Sequence, residues 1–139
     1  MDDEEAVVRA VTDRKSLPKM FPTHRHDPEF WEHLGRAIAS FGFLEDTLKK
    51  AYFSFTGTTP VAPEDVERAV EQWGKRLEKI MIMQLRNLAV EFEGAATSNP
   101  NNSTENISEL VADIKKAAEI RNILCHGSWM LPDNEGKSL

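Results

Sequence analysis

Glu119-Ile120-Arg121-Asn122-Ile123-Leu124-Cys125-His126-Gly127-Ser128-Trp129 is the stretch from which the rest of the chain can be read. It closes the last helical segment. A guanidinium, a carboxamide and an imidazole fall within two turns, directly before a glycine able to end the helix. Arg121 carries a permanent charge among Ile120, Leu124 and Cys125, where burial is expected. Burying a charge is costly unless something pairs with it or uses it. The segment therefore holds either a structural ion pair or a site.

Upstream, Asn102 or Thr104 is placed to cap this last helix. Its core face reads Ile107, Leu110, Val111, Ile114, Ala117, Ala118 and Cys125, with Arg121 on the same face. Ile120, Ile123 and Leu124 spread apolar surface around the helix end, and a helix apolar all round is buried on all sides. In so small a bundle a second chain is the expected cover. Ala96 to Ser103 reads as a polar, mobile linker. Before it, Pro63-Glu64-Asp65 starts a long helix reaching Phe92 or Gly94. Its stripe is Val66, Val70, Trp73, Leu77, Ile80, Leu88 and Phe92, widened by Met81 and Met83.

Asp27-Pro28-Glu29 combines a capping carboxylate, a proline suited to the first helical position and an acid that complements the dipole. The helix it starts runs to about Phe55, with a stripe of Leu34, Ile38, Phe41, Leu48 and Tyr52. Glu45 falls inside that stripe at about 100° per residue, so an arginine partner is expected. Residues 3 to 15 read as a short helix carrying Val7, Val8 and Val11. The loop from Ser16 to His26 is expected to fold Met20 and Phe21 over the core. No segment alternates with period two. The expected fold is all-α, an up-down helical bundle of three long helices plus a short N-terminal helix. One domain spans 1–139, with an N-terminal arm at about 1–27, a core bundle at about 28–131 and a frayed C-terminus.

The 139 residues suffice for one core. No apolar run approaches the ~20 residues of a membrane span. Met1-Asp2-Asp3-Glu4-Glu5 is acidic and unlike a secretory signal, which sets the expectation of a cytoplasmic protein. Cys125 is the only cysteine, so no intrachain disulfide forms, and the Asn-x-Ser/Thr matches at Asn101, Asn102 and Asn106 carry no glycosylation meaning. The formal charge of −6 argues against broad electrostatic binding of nucleic acid but leaves room for one local basic site.

Arg121, Asn122 and His126 admit two readings. In the first, arginine holds a phosphate and the charge developing on it, while histidine moves a proton at neutral pH. Arg121 and His126 lie five apart, roughly 140° around an ideal helix. They converge on one ligand only if the helix unwinds at Gly127 or a symmetry mate adds its own copies. In the second, Arg121 pairs with Glu45 and His126 caps the helix.

Arg121-Asn122-x-x-x-His126, late in a terminal helix of a small all-α domain, resembles the motif of the HEPN superfamily: arginine, then four to six residues with a polar one usually first, then histidine. His126-Gly127-Ser128-Trp129 resembles many bacterial members, and Leu34-Gly35-Arg36 through Phe41-Gly42-Phe43-Leu44-Glu45 is similar to the first long HEPN helix. The likeness covers roughly residues 28 to 131. It implies a homodimer whose two motifs face each other across the interface, and a metal-independent endoribonuclease in toxin–antitoxin or antiphage defence systems. RNA is then the substrate, a cognate antitoxin a partner, and no cofactor is needed. Arg121 would stabilise the transition-state phosphate. His126 would serve as general base or acid, and Asn122 would orient either. The products would be a 2′,3′-cyclic phosphate and a 5′-hydroxyl. The supporting role of Glu45 comes from its place in the stripe, not from the family. Some HEPN domains have lost activity, so a silent module for dimerisation or partner binding is the alternative.

Three other groups carry bland readings beside functional ones. His24, His26 and His33 offer nitrogen ligands for a metal, but no cysteine joins them and exposed loop histidines are the default. A loop placed near a dimer cleft would instead touch substrate. Cys125 reads as a core residue rather than a thiolate. Trp31, Trp73 and Trp129 suit the core or interface. Arg36, Arg76, Lys79 and Arg86 are available to RNA but read first as a solvated face.

Overall fold

The computed structural model describes residues 13–131. Four helices follow in chain order: α1, Pro28–Gly57; α2, Val66–Met81; α3, Leu85–Ser98; and α4, Ile107–His126. Single 3-10 turns occur at Arg14–Ser16, Thr23–Arg25 and Pro63–Asp65. No strand occurs among the described residues, so the all-α expectation holds. The short helix expected over residues 3 to 15 lies mostly outside the described residues; its end, from Arg14, forms the first 3-10 turn.

α1 begins as its sequence dictates. The Asp27 side chain accepts from the Phe30 amide at 2.8 Å, with proline in the first turn. Leu48 and Tyr52 are buried on its inner face. The long helix expected from Pro63 to Phe92 is instead two helices, reversing at Ile82–Gln84. Ile80 and Leu85, on either side of the reversal, are both buried, and Lys49 Nζ on α1 donates to the Met81 carbonyl at 3.0 Å. Burying both residues in one core, with α2's end held by α1, is what the reversal achieves. No glycine or proline marks it.

The helices alternate in direction. Trp73 Nε1 donates to Thr56 Oγ1 at 2.8 Å, setting α2 against the end of α1. Phe55 and Phe92 approach to 6.0 Å, so α3 runs beside the second half of α1. Arg86 pairs with Glu119 at 3.1 Å, so α4 returns antiparallel to α3. Leu88, Ala89, Val111, Ile114 and Ala118 fill the α1–α3–α4 core. α2 packs chiefly on α1. Val66 and Val70 are exposed, not core as their spacing suggested.

The segment after α3 is anchored rather than mobile. Asn99 is 95 % buried, its exposure being 5 %. Its Nδ2 donates to the Phe55 carbonyl at 2.8 Å and to Thr58 Oγ1 at 3.0 Å, and its Oδ1 accepts from the Asn101 amide at 2.9 Å. One carboxamide thus closes the end of α1. Asn99→Ala leaves those partners unpaired, and urea denaturation is expected to show a loss of about 1–3 kcal/mol; a loss within error would show the anchor to be dispensable. Neither Asn102 nor Thr104 caps α4. Asn106 precedes it in the left-handed region, φ 58°, and Asn102 Oδ1 accepts from the Thr104 amide instead.

α1 has 30 residues, about 45 Å, while α3 has 14, about 21 Å. α3 begins opposite Glu119, so the first half of α1 and the last two turns of α4 run past it uncovered. Along that length the stripe is only partly covered: Leu34 is half-buried and Ile38 exposed, while Phe41 already packs against the core. Cys125 falls on the core-facing side of α4 yet is exposed, because no α3 residue reaches that level. Leu110 is likewise exposed, and Ile120 and Ile123 lie open on α4.

Candidate functional site

Arg121 stands where the bundle opens. It lies on the flank of α4 toward α1, and its Nη2 is 3.9 Å from Glu45 Oε1. That separation brings opposite charges together but is too long for a hydrogen bond. The two side chains keep 30 % and 21 % of their exposure, so the guanidinium is reachable from solvent. Nη1 donates to Asn122 Oδ1 at 3.3 Å. A guanidinium carries five donors, and the rest make no protein hydrogen bond among the described residues. Arg121, Asn122 and Glu45 therefore form one cluster with anion-binding capacity to spare.

His126 does not join them. It is the final residue of α4, exposed, with no hydrogen bond among the described residues. The helix continues unbroken through it, so the roughly 140° between Arg121 and His126 persists. Gly127 ends the helix with its amide on the Ile123 carbonyl at 2.7 Å. It does so in extended backbone, φ −64° and ψ 142°, and the unwinding that would turn His126 toward Arg121 does not occur.

Beyond Gly127 the chain folds onto the start of α1. His26 Nε2 donates to the Trp129 carbonyl at 3.1 Å. The His26 ring stacks on Phe30 at 4.0 Å. Phe30 meets Trp31 edge-on at 4.9 Å and Trp129 at 5.6 Å. Trp31 Nε1 donates to the Thr23 carbonyl at 2.7 Å. The N-terminal arm, the first turn of α1 and the tail after His126 are thus one aromatic cluster. The role of His26 in tying arm to tail was not read from the sequence; the density of rings in His26–Trp31 was its only signal. Met20 and Phe21, expected over the core, are exposed.

The histidines offered for a metal do not converge. His24 stacks on Phe21 at 5.6 Å, His26 holds Trp129, and His33 faces Glu29 at 3.6 Å. Among the described residues no group of three metal-ligating side chains forms. A groove of about 920 Å³ runs between α2, α3 and the end of α1, lined by Tyr52, Trp73, Arg76 and Glu91 among others. Burial pushes the Tyr52 phenol up, Glu91 adds to this, and Arg76 opposes it. None of Arg121, Asn122, His126 or Glu45 lines that groove.

The described residues form an all-helical bundle of four helices with an accessible arginine–carboxamide–carboxylate cluster at its open end. No helix among the described residues is long and apolar enough to cross a membrane. No family model, curated protein or solved structure matches the chain.

Proposed function

We propose that this chain is a HEPN-type, metal-independent endoribonuclease that acts as a homodimer, of the kind found in toxin–antitoxin and antiphage systems. The observation that carries the reading is the partly exposed Arg121 side chain, with unused donors, at the open end of the bundle. A guanidinium held only for stability would be expected to make its hydrogen bonds to the carboxylate it faces.

The chemistry follows from the residue types. The imidazole of His126 takes the proton from an RNA 2′-hydroxyl. The 2′-oxygen attacks the adjacent phosphorus, the bond to the 5′-oxygen breaks, and that oxygen leaves with a proton from an imidazolium. Arg121 meets the charge gathering on the phosphoryl oxygens, where preorganised donors act most strongly. Glu45 and Asn122 hold the guanidinium in place. Because Arg121 and His126 of one chain diverge, the reaction takes them from two chains. The partly covered stripe of α1 and the open flank of α4 supply the interface, an obligate surface being more apolar than the rest.

Ile38→Asp places a carboxylate in that stripe. Sedimentation velocity is expected to show dimer dissociation strengthened at least about tenfold, from burial of an unpaired charge, with cleavage lost in parallel. A wild-type monomer at micromolar concentration would remove the shared cleft.

The 3.9 Å approach of Glu45 to Arg121 favours one other reading, a silent module in which the pair is structural. Labelled RNA incubated in EDTA separates the two. Cleavage by the wild type, absent from folded His126→Ala and Arg121→Ala, supports the nuclease. Absence of cleavage, with Arg121→Ala unfolded, supports the module.

A further inference from the structure

The chain is acidic, at −6, yet residues 14 to 26 carry Arg14, Lys15, Lys19 and Arg25 and no aspartate or glutamate. The carboxylates flanking this segment are occupied. Asp13 accepts from the Lys15 amide, and Asp27 caps α1. All four cations are exposed, and none has a carboxylate partner among the described ion pairs. The segment is not remote from the candidate site. His26 ties it to the Trp129 carbonyl, three residues after His126.

The same arm forms a cavity of about 620 Å³, lined by Lys19, Met20, His24, His26 and Trp31 among others. Indole, imidazole and thioether surfaces beside an ammonium are what a stacked base with its phosphate requires. We propose that the 14–26 arm is the subsite that holds single-stranded RNA beside the scissile phosphate. A base enters the cavity against Trp31 and His24, and Lys19 and Arg25 take the neighbouring phosphates. A duplex, whose bases are already stacked, lacks the free face this cavity would take. The proposal rests on the ribonuclease reading for its purpose but not for its test.

The measurement is fluorescence anisotropy of a short labelled single-stranded RNA, titrated with His126→Ala protein so that nothing is cut. Lys19→Glu with Arg25→Glu is expected to weaken binding at least about tenfold. It should also lower the slope of log affinity against log salt by about 1.4, for two phosphate contacts at ~0.7 each. Lys19→Arg with Arg25→Lys should bind within about twofold of the parent, since charge is kept. Arg68→Glu with Lys75→Glu, on α2, should leave binding unchanged. Should charge reversal lower the melting temperature, Lys19→Gln with Arg25→Gln gives the same comparison without repulsion.

Unchanged affinity in the arm variants overturns the subsite, and so does equal affinity for the matching duplex. If the wild type still cleaves, the nuclease reading survives that loss. Arm-dependent binding without cleavage by the wild type supports the subsite and removes the nuclease.

Discussion

Alanine at His126 is expected to lower cleavage of single-stranded RNA by roughly a hundredfold to ten-thousandfold, the range a general acid–base supplies. The fold should be untouched, because the imidazole is exposed and bonds to no described residue. That separates loss of chemistry from loss of structure, which Arg121→Ala does less cleanly because it leaves Glu45 without its nearest cation. Arg121→Lys is informative beside it. It preserves the charge facing Glu45 but loses the planar fork of donors, so stability should hold while rate falls. If the two motifs face each other in a dimer, mixing His126→Ala with Arg121→Ala protein should restore part of the activity. A heterodimer then carries one intact arginine and one intact histidine across the interface. Absence of any restoration, with heterodimers demonstrably formed, would count against the shared cleft.

Leu88→Ala carries the largest expected cost in stability, about 2–5 kcal/mol by urea or thermal unfolding. Leu88 is 0 % exposed and sits in the core shared by α1, α3 and α4. Truncation removes apolar contacts from three helices at once, and their relative positions limit how far the void can close. Against a typical total of about 5–15 kcal/mol the loss is large. A change below about 1 kcal/mol would mean that the three helices close around the void, and that the bundle is looser than its packing implies.

The parts of the fold legible in the sequence are those specified by neighbouring residues. Asp27 and Pro28 announce the start of α1, and its stripe from Leu34 to Tyr52 follows from helical spacing. The meeting of Glu45 with Arg121 was legible for a related reason: a carboxylate inside an apolar stripe demands a cation, and few cations lie on inner faces. The reversal between α2 and α3 was hidden because Ile82 and Met83 extend the apolar pattern. What bends the chain there is held from afar, by Lys49 on the Met81 carbonyl. Asn99 looked like a linker residue because its partner, the Phe55 carbonyl, lies 44 residues away. Cys125 obeyed its helical phase and still came out exposed, since phase gives direction while the length of the neighbouring helix decides cover. Nothing in the sequence of the arm pointed to His26 as the residue that holds Trp129, although its ring-rich neighbourhood hinted at a cluster.

The attachment of α2 chiefly to α1 has a consequence for how the molecule breathes. Ile80, near the end of α2, is buried in the same core as Leu88 and Val111, so that end stays fixed, while the start of α2, where Val66 and Val70 are exposed, can lift from the groove it borders. Such partial opening costs less than complete denaturation. It would expose Tyr52 and Trp73, giving the protein a hinged flap on the side remote from Arg121.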